Sequence, residues 1–79
     1  MRAKNSSKHH GSKALKLLGK HLAAQRHRAG LSQTELAVMA GLSKEHISLL
    51  ERGGRNPPYT TLVTIAWALR TKVAKLVPG

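Results

Sequence analysis

The side chains best suited to polar recognition lie between positions 43 and 52 of the sequence. Ser43, Lys44 and Glu45 are consecutive, while Ser48 and Arg52 follow Lys44 at successive intervals of four residues. Lys and Arg donate hydrogen bonds, an ionised Glu accepts them, and a Ser hydroxyl does both. Residues spaced by four share one face of a helix. The pattern therefore indicates hydrogen bonding to a polar, charged surface.

The titratable residues offer no catalytic or metal-binding constellation. Five His, three Glu and no Asp or Cys leave few combinations. His9 and His10 have no third ligand nearby, whereas zinc sites use three or four protein ligands. His27 and Glu35 are better interpreted as a surface residue and a helix-capping residue. We therefore expect no enzyme activity, no metal and no cofactor.

Charge is the strongest compositional signal. Fourteen Lys and Arg stand against three acidic residues, which gives a net charge of +11. Such a field attracts polyanions, and nucleic acid is the first candidate. Solubility alone and an anionic membrane surface are the alternatives. No apolar run approaches the roughly 20 residues of a spanning helix, and no signal peptide is visible. Because the absence of Cys fits a reducing cytosol, we expect a cytoplasmic, nucleoid-associated protein.

Hydrophobic spacing predicts a single all-α domain at residues 13–79, preceded by a flexible basic arm at residues 1–12. The arm either contacts phosphates or a minor groove, or is an inert terminus. Helices are predicted over 13–28, over 33 to 39 or 40, over 44–52, from 59 or 60 to 69, and within 71–77. The predicted core residues are Leu15, Leu18, Leu22, Leu36, Ala37, Ala40, Ile47, Leu50, Leu62, Ile65, Ala66 and Leu69.

Capping residues mark the ends of these helices. Ser32 and Glu35 have the S-x-x-E spacing of a capping box, and Ser43 precedes the third predicted helix. Gly30 and Gly41 follow helices at positions where the backbone commonly turns left-handed. These signals favour several short, packed helices over the single amphipathic helix of a membrane-surface peptide.

The sequence resembles the helix-turn-helix of the Xre-type, Cro-like phage repressor family over roughly Leu15 to Val77. The resemblance implies a compact five-helix, lambda-repressor-like DNA-binding domain, with the helix-turn-helix at helices 2 and 3. The matching segments are Gly30-Leu31-Ser32-Gln33, Glu35-Leu36-Ala37, Gly41-Leu42-Ser43, Ile47-Ser48, Glu51-Arg52-Gly53, Arg55-Asn56-Pro57 and Leu62 through Leu69.

The resemblance also implies which residues contact DNA. Helix 3 would lie in the major groove, with Ser43, Lys44 and Glu45 near base edges. The alternative for Lys44 is a solvated charge, and the alternative for Glu45 is a surface acid that complements the helix dipole. Ser48 is expected near a base or a phosphate, and Leu49 either touches a thymine methyl or packs beneath the helix. The other expected contacts, mainly with phosphates, are Gln33, His46, Arg52, Arg55 and Asn56. The alternatives are an ordinary exposed Gln at position 33 and an inert surface His at position 46.

An ion pair is implied between helix 1 and the end of helix 3. In this family a helix-1 Arg pairs with the Glu that ends helix 3, and Arg26 and Glu51 match both positions. Arg26 also continues the apolar stripe of helix 1, where a buried charge needs a partner. Three positions depart from the family pattern: Pro58 replaces a capping Ser, Arg70 replaces a Gly, and Trp67 replaces a usually polar residue.

Members of the family usually act as dimers on half-sites about one DNA turn apart, so the resemblance implies a homodimer. We predict a two-fold patch of Val63, Trp67, Leu76 and Val77, with Trp67 covering its own core as the alternative. The implied function is a small regulator of transcription, either a repressor or an autoregulator. An antitoxin that binds both its operator and a toxin protein is the alternative.

Overall fold

The computed structural model describes the backbone of residues 2–78 and the side chains of residues 12–78. It contains four α-helices: α1 (Arg2–Arg28), α2 (Gln33–Ala40), α3 (Lys44–Glu51) and α4 (Tyr59–Ala68). The predicted all-α class is confirmed, and the described residues contain no strand.

The prediction of a fifth α-helix within residues 71–77 is not confirmed. This segment forms a single 3-10 turn at Val73–Lys75. The segment is too short to form a stable α-helix by itself. Pro78 also disfavours the α conformation at the residue before it. The fold is therefore four α-helices and one 3-10 turn, rather than five α-helices.

The first helix begins earlier than the sequence predicted. We placed its start at Lys13, whereas α1 begins at Arg2 and continues without interruption to Arg28. Residues 2–12 contain no Pro, and Gly11 is the only residue there with a strong penalty in a helix. Met1 and the side chains of residues 1–11, including His9 and His10, lie outside the described residues. Flexibility of the basic arm in solution and its contact with DNA stay predictions.

The core lies where α3 packs against both α1 and α2, and where α4 packs against α2. Of the predicted core residues only Leu15 is partly buried, and the other eleven are buried. Burying a Leu or Ile side chain contributes about 1.5–3 kcal/mol, so this cluster is the main source of stability. Its largest fully buried side chains are Leu22, Leu36, Ile47, Leu50, Ile65 and Leu76.

All four α-helices end in the same left-handed turn. In each, the amide of one residue bonds to the carbonyl five residues earlier, as in Leu31 N to Arg26 O at 3.1 Å and Thr71 N to Ala66 O at 2.9 Å. The left-handed residues are Gly30, Gly41, Gly53 and Arg70. Glycine adopts this backbone freely, but for other residues it costs roughly 1–2 kcal/mol. Arg70, at φ 55°, carries that cost.

The start of α2 has the predicted capping box. The Glu35 amide donates to Ser32 Oγ at 3.0 Å, and the Ser32 amide donates to Glu35 Oε1 at 2.8 Å. These contacts, first the backbone bond and then the side-chain bond, hold the pKa of Glu35 below its ordinary value. The stability from this lowered pKa is present above the unfolded-state pKa and is lost as pH falls through the folded-state value.

The N-terminal caps of α3 and α4 differ from each other. Ser43 Oγ accepts a hydrogen bond from the His46 amide at 3.0 Å, as predicted for α3. At α4 the cap position is Pro58, which makes no side-chain cap bond. Thr60 lies inside the helix, where its carbonyl accepts a hydrogen bond from Thr64 Oγ1 at 3.1 Å. The first turn of α4 therefore begins from the fixed Pro backbone.

Gly19 lets α1 approach the end of α3 very closely. A Cβ added at this buried glycine would lie 2.4 Å from the Glu51 carbonyl oxygen and 2.6 Å from that of Leu50. Both are backbone atoms, so they cannot move aside as a flexible side chain would. The close approach requires a residue without Cβ in the middle of a helix.

We expect Gly19→Ala to lower the free energy of unfolding by about 1–3 kcal/mol, the usual cost of overpacking. Helix propensity alone would act in the opposite direction, because Ala is favoured over Gly by about 1 kcal/mol. Ala24→Gly, at an exposed position of the same helix, is the matched control for propensity. Urea unfolding of both variants gives the comparison. A Gly19→Ala protein more stable than the wild type would contradict the close packing.

Candidate nucleic-acid interface

The exposed face of α3 brings together four of the predicted contact residues. Lys44, Glu45, Ser48 and Arg52 line one shallow depression of about 200 Å³. Lys44, Glu45 and Arg52 are exposed, and Ser48 is half-buried. The depression therefore offers donors from two cations, an acceptor from one acid and a hydroxyl that does both.

The start of α3 is held by a tight turn from α2. Gly41 adopts φ 69°, and the Leu42 amide donates to the Ala37 carbonyl at 2.8 Å. Ser43 then caps α3, with Ile47 on its buried side. This arrangement fixes which face of α3 is buried and leaves Lys44 and Glu45 at the exposed end of its first turn. An α-helix is about 10–12 Å across, which matches a major groove about 12 Å wide.

The end of α3 is held by the predicted ion pair. Arg26 Nε donates to Glu51 Oε2 at 2.6 Å, and Arg26 Nη2 donates to Glu51 Oε1 at 3.0 Å. The third bond of the guanidinium goes from Nη1 to the Leu31 carbonyl at 2.8 Å. The side chains of Arg26 and Glu51 are only 9% and 8% exposed. The hydrogen bonds to Glu51 raise the pKa of Arg26, against burial, which alone would lower it.

Gln33 joins this network, which sequence reasoning did not foresee. Its amide Nε2 donates to Glu51 Oε1 at 3.0 Å, and its side chain is half-buried. A Gln amide has two N–H donors. One is therefore engaged with Glu51, and the other stays available for the predicted phosphate contact. The position of Gln33 at the start of α2 could not reveal a partner on α3.

Two residues of α3 face inward more than predicted. His46 is half-buried, and its Nε2 is enclosed without a hydrogen-bond partner among the described residues. The contact of His46 with a phosphate stays a prediction. Leu49 is half-buried beside Gly54, where an added Cβ would lie 2.6 Å from Leu49 Cδ1. Leu49 thus packs beneath the turn, which is the alternative considered from the sequence.

The loop after α3 carries the remaining predicted contacts. Arg55 and Asn56 are exposed, and neither lines the depression on α3. Pro57 is buried and anchors the loop. Arg52 Nε lies 3.4 Å from the Ser48 carbonyl, a weak contact that leaves the other guanidinium donors exposed. The structure thus places Arg52 on the helix face and Arg55 and Asn56 on the adjoining loop.

The predicted dimer patch is partly wrong. Leu76 is 0% exposed because it belongs to the core of its own domain, and Val77 packs partly buried against the same core. Trp67 is 77% exposed, so it does not cover its own core. Val63 is half-buried, and Tyr59, which we did not predict, is 69% exposed. Tyr59, Val63 and Trp67 are spaced by four on α4, and this spacing was the signal that could have identified Tyr59.

Two short helices joined at Gly41, with a polar exposed face on the second, define a helix-turn-helix protein. The chain belongs to the helix-turn-helix domain family, whose match spans residues 17–76. It is similar to an uncharacterized HTH-type transcriptional regulator of Sinorhizobium fredii, y4dJ, with 42% identity over 62 residues, 78% of this chain and 80% of that one. It is also 38% identical to the control protein C.SmaI of Serratia marcescens, over 77% of this chain and 73% of that one.

Solved structures agree with this assignment. The restriction-modification controller protein C.AhdI from Aeromonas hydrophila superposes with a TM-score of 0.80 at 32% identity, covering 82% of this chain and 94% of that chain. The clp gene regulator ClgR from Corynebacterium glutamicum gives a TM-score of 0.78 at 30% identity, covering 80% and 81%. The resemblance to the Xre-type, Cro-like family is confirmed.

Among the described residues, no helix is both long and apolar enough to cross a membrane. The same part of the chain contains no group of three or more His, Cys, Asp and Glu that could hold a metal ion.

Removing one partner of the ion pair should destabilise the fold strongly. We expect Arg26→Met or Glu51→Gln to lower the free energy of unfolding by roughly 3–5 kcal/mol, because the remaining partner stays buried without a counter-charge. The double variant Arg26→Met, Glu51→Met should lose less than the sum of the two single variants. Lys20→Met, an exposed cation on the same helix, is the control. Single losses below about 1 kcal/mol, the range of exposed pairs, would contradict a buried pair.

Proposed function

We propose that the protein is a small, sequence-specific regulator of transcription that inserts α3 into the major groove of double-stranded DNA. The observation that carries this proposal is the depression on α3, where Lys44, Glu45, Ser48 and Arg52 share one exposed face. Membership of the helix-turn-helix family supports the same role. In such domains the second helix of the motif reads base edges while the first crosses the backbone.

The side chains divide between reading bases and holding the backbone. Lys44 can donate to guanine O6 and N7, and Glu45 can accept from cytosine N4, each contact discriminating by about 1–3 kcal/mol. Ser43 and Ser48 supply hydroxyls beside them. Phosphate contacts position the domain but carry no sequence information. For this role we propose Gln33, Arg52, Arg55 and Asn56.

The names of two relatives support a more specific proposal about the kind of regulation. Two of them are named as control or controller proteins, one of them in a restriction-modification system. We propose repression or autoregulation in the cytoplasm, controlled by the concentration of the protein. A restriction endonuclease and a methyltransferase encoded beside this gene would place it in the same kind of system. No observation favours the antitoxin alternative.

We further propose that two copies bind together. A single helix of this size makes few contacts, whereas a dimer doubles them and reads two half-sites about 10 base pairs apart. Tyr59, Val63 and Trp67 form an apolar stripe on α4 that suits a two-fold contact. Leu76, now placed in the core, is no longer part of this patch.

Selection of binding sites from random duplex DNA, followed by salt titration, tests the function. We expect a palindromic site, with Glu45→Gln relaxing the preference at one base pair per half-site by about 5- to 150-fold, equivalent to roughly 1–3 kcal/mol. Arg55→Gln should weaken binding to all sequences alike and reduce the salt slope by about 0.9 for each bound protomer. Lys20→Gln is the matched control for charge. Binding without any sequence preference would contradict the proposal.

Sedimentation equilibrium tests the dimer. Trp67→Lys should shift the protein from dimer to monomer, because a charge would be buried in an apolar contact. Val38→Lys is the control, since Val38 is 75% exposed on α2, outside the proposed stripe. An unchanged mass for Trp67→Lys, or the same shift for both variants, would exclude Trp67 as an anchor.

A further inference from the structure

A second depression lies at the C-terminal ends of α1 and α4 and shares no residue with the depression on α3. Its volume is about 350 Å³. Its polar lining comes from Gln25 and Arg28 on α1, Arg70 and Thr71 after α4, and Lys75 in the 3-10 turn. We call this depression the basic groove, because it is lined by three cations and no acid.

Arg70 is the residue that makes the basic groove unusual. The other three helices end with glycine at the left-handed position, and only α4 ends with a side-chain-bearing residue there. Glycine would complete this turn with less strain. A residue held in an unfavourable backbone region is a reason to look for a function of its side chain. Arg70 and Arg28 of α1 both line the groove.

Helix dipoles alone do not account for the cations that line the basic groove. A cation near a helix C-terminus is favourable, which explains Arg28 at the end of α1. The same effect at the end of α4 is smaller than the usual cost of the left-handed backbone at a non-glycine residue. The three like charges also repel one another unless an anion lies between them. Arg28, Arg70 and Lys75 are all exposed, so a ligand can reach them.

We propose that the basic groove binds a phosphate group. Arg guanidinium groups bind phosphate through paired hydrogen bonds, and Lys adds a point charge. The Thr71 hydroxyl and the Gln25 amide supply neutral donors at the same groove. The phosphate belongs either to a free phosphorylated compound or to the DNA backbone, and the chemistry of the groove is the same for both. Only the second source rests on the DNA-binding function proposed above.

Inorganic pyrophosphate is the probe for the first source. Titration at constant ionic strength, followed by ¹⁵N–¹H NMR, should give saturable shifts at Arg28, Arg70 and Thr71. Arg70→Gly should weaken this binding by about ten-fold or more, the loss typical of a hydrogen bond between charged groups. Because glycine relaxes the left-handed turn, Arg70→Gly should fold at least as well as a surface variant. Lys20→Gln removes one exposed positive charge elsewhere on α1 and should leave the titration unchanged.

Nonspecific duplex DNA is the probe for the second source. If a backbone phosphate occupies the groove, Arg70→Gly should reduce the slope of log affinity against log salt concentration by about 0.9 for each bound protomer. Lys20→Gln should leave that slope unchanged. The selected DNA site should be the same for Arg70→Gly and the wild type, so failure of the groove and failure of sequence reading are separate results.

Weaker pyrophosphate binding by Arg70→Gly supports the basic groove as a site for a free phosphorylated compound. A smaller salt slope of Arg70→Gly on duplex DNA supports it as a site for a backbone phosphate. The proposal is overturned if pyrophosphate gives no saturable shifts and the salt slope is unchanged. It is also overturned if Arg70→Gly and Lys20→Gln have equal effects in both measurements, because only the general field of the protein would then be acting.

Discussion

The bidentate ion pair between Arg26 and Glu51 is the interaction on which the geometry of this domain depends. It joins α1 to the last residue of α3, and the same guanidinium holds the carbonyl of Leu31 in the turn before α2. Gln33 adds a bond from α2 to the same carboxylate. A buried pair adds little net stability over an apolar contact. Its bonds nevertheless have fixed directions, so it sets how the three helices are oriented.

The orientation matters because α3 is held at both ends. Its first turn follows the capped turn at Ser43, and its last turn is clamped by Glu51 against α1. Gly19 permits that clamp, since any Cβ there would meet the α3 backbone. Contacts at both ends of α3 therefore fix the direction in which its exposed face points. A preorganised face avoids ordering costs on binding, which favours affinity in a domain with few contacts.

The roles of the three acidic residues help to interpret the exposed face of α3. Glu35 belongs to the capping box and Glu51 to the ion pair, so two of the three acids have structural roles. Glu45 is exposed and makes none of the side-chain hydrogen bonds found among the described residues. An acid opposes binding to phosphates, so its place among cations on α3 is costly for nonspecific attraction. It is instead suited to accepting a hydrogen bond from a base edge.

Local signals made most of the fold predictable, and the family resemblance predicted one distant contact, between Arg26 and Glu51. Other contacts between distant residues left no signal in the sequence. The Ser32–Glu35 spacing and the leucine periodicity each depend on neighbours within a helix or a turn, and both predictions are confirmed. Leu76 was misplaced because an apolar side chain after α4 suits a core and an interface equally well. Gly19 gave no sequence signal, since its reason lies at Glu51 in another helix.

The exposed face of α4 carries a stripe of apolar side chains. Trp67 is 77% exposed, whereas Leu76 is fully buried in the core. Single exposed apolar residues are common, but Tyr59, Val63 and Trp67 share one helical face. The domain thus separates its surfaces, with polar and charged side chains on α3, exposed apolar side chains on α4 and cations at the ends of α1 and α4. The buried ion pair between Arg26 and Glu51 lies outside all three surfaces.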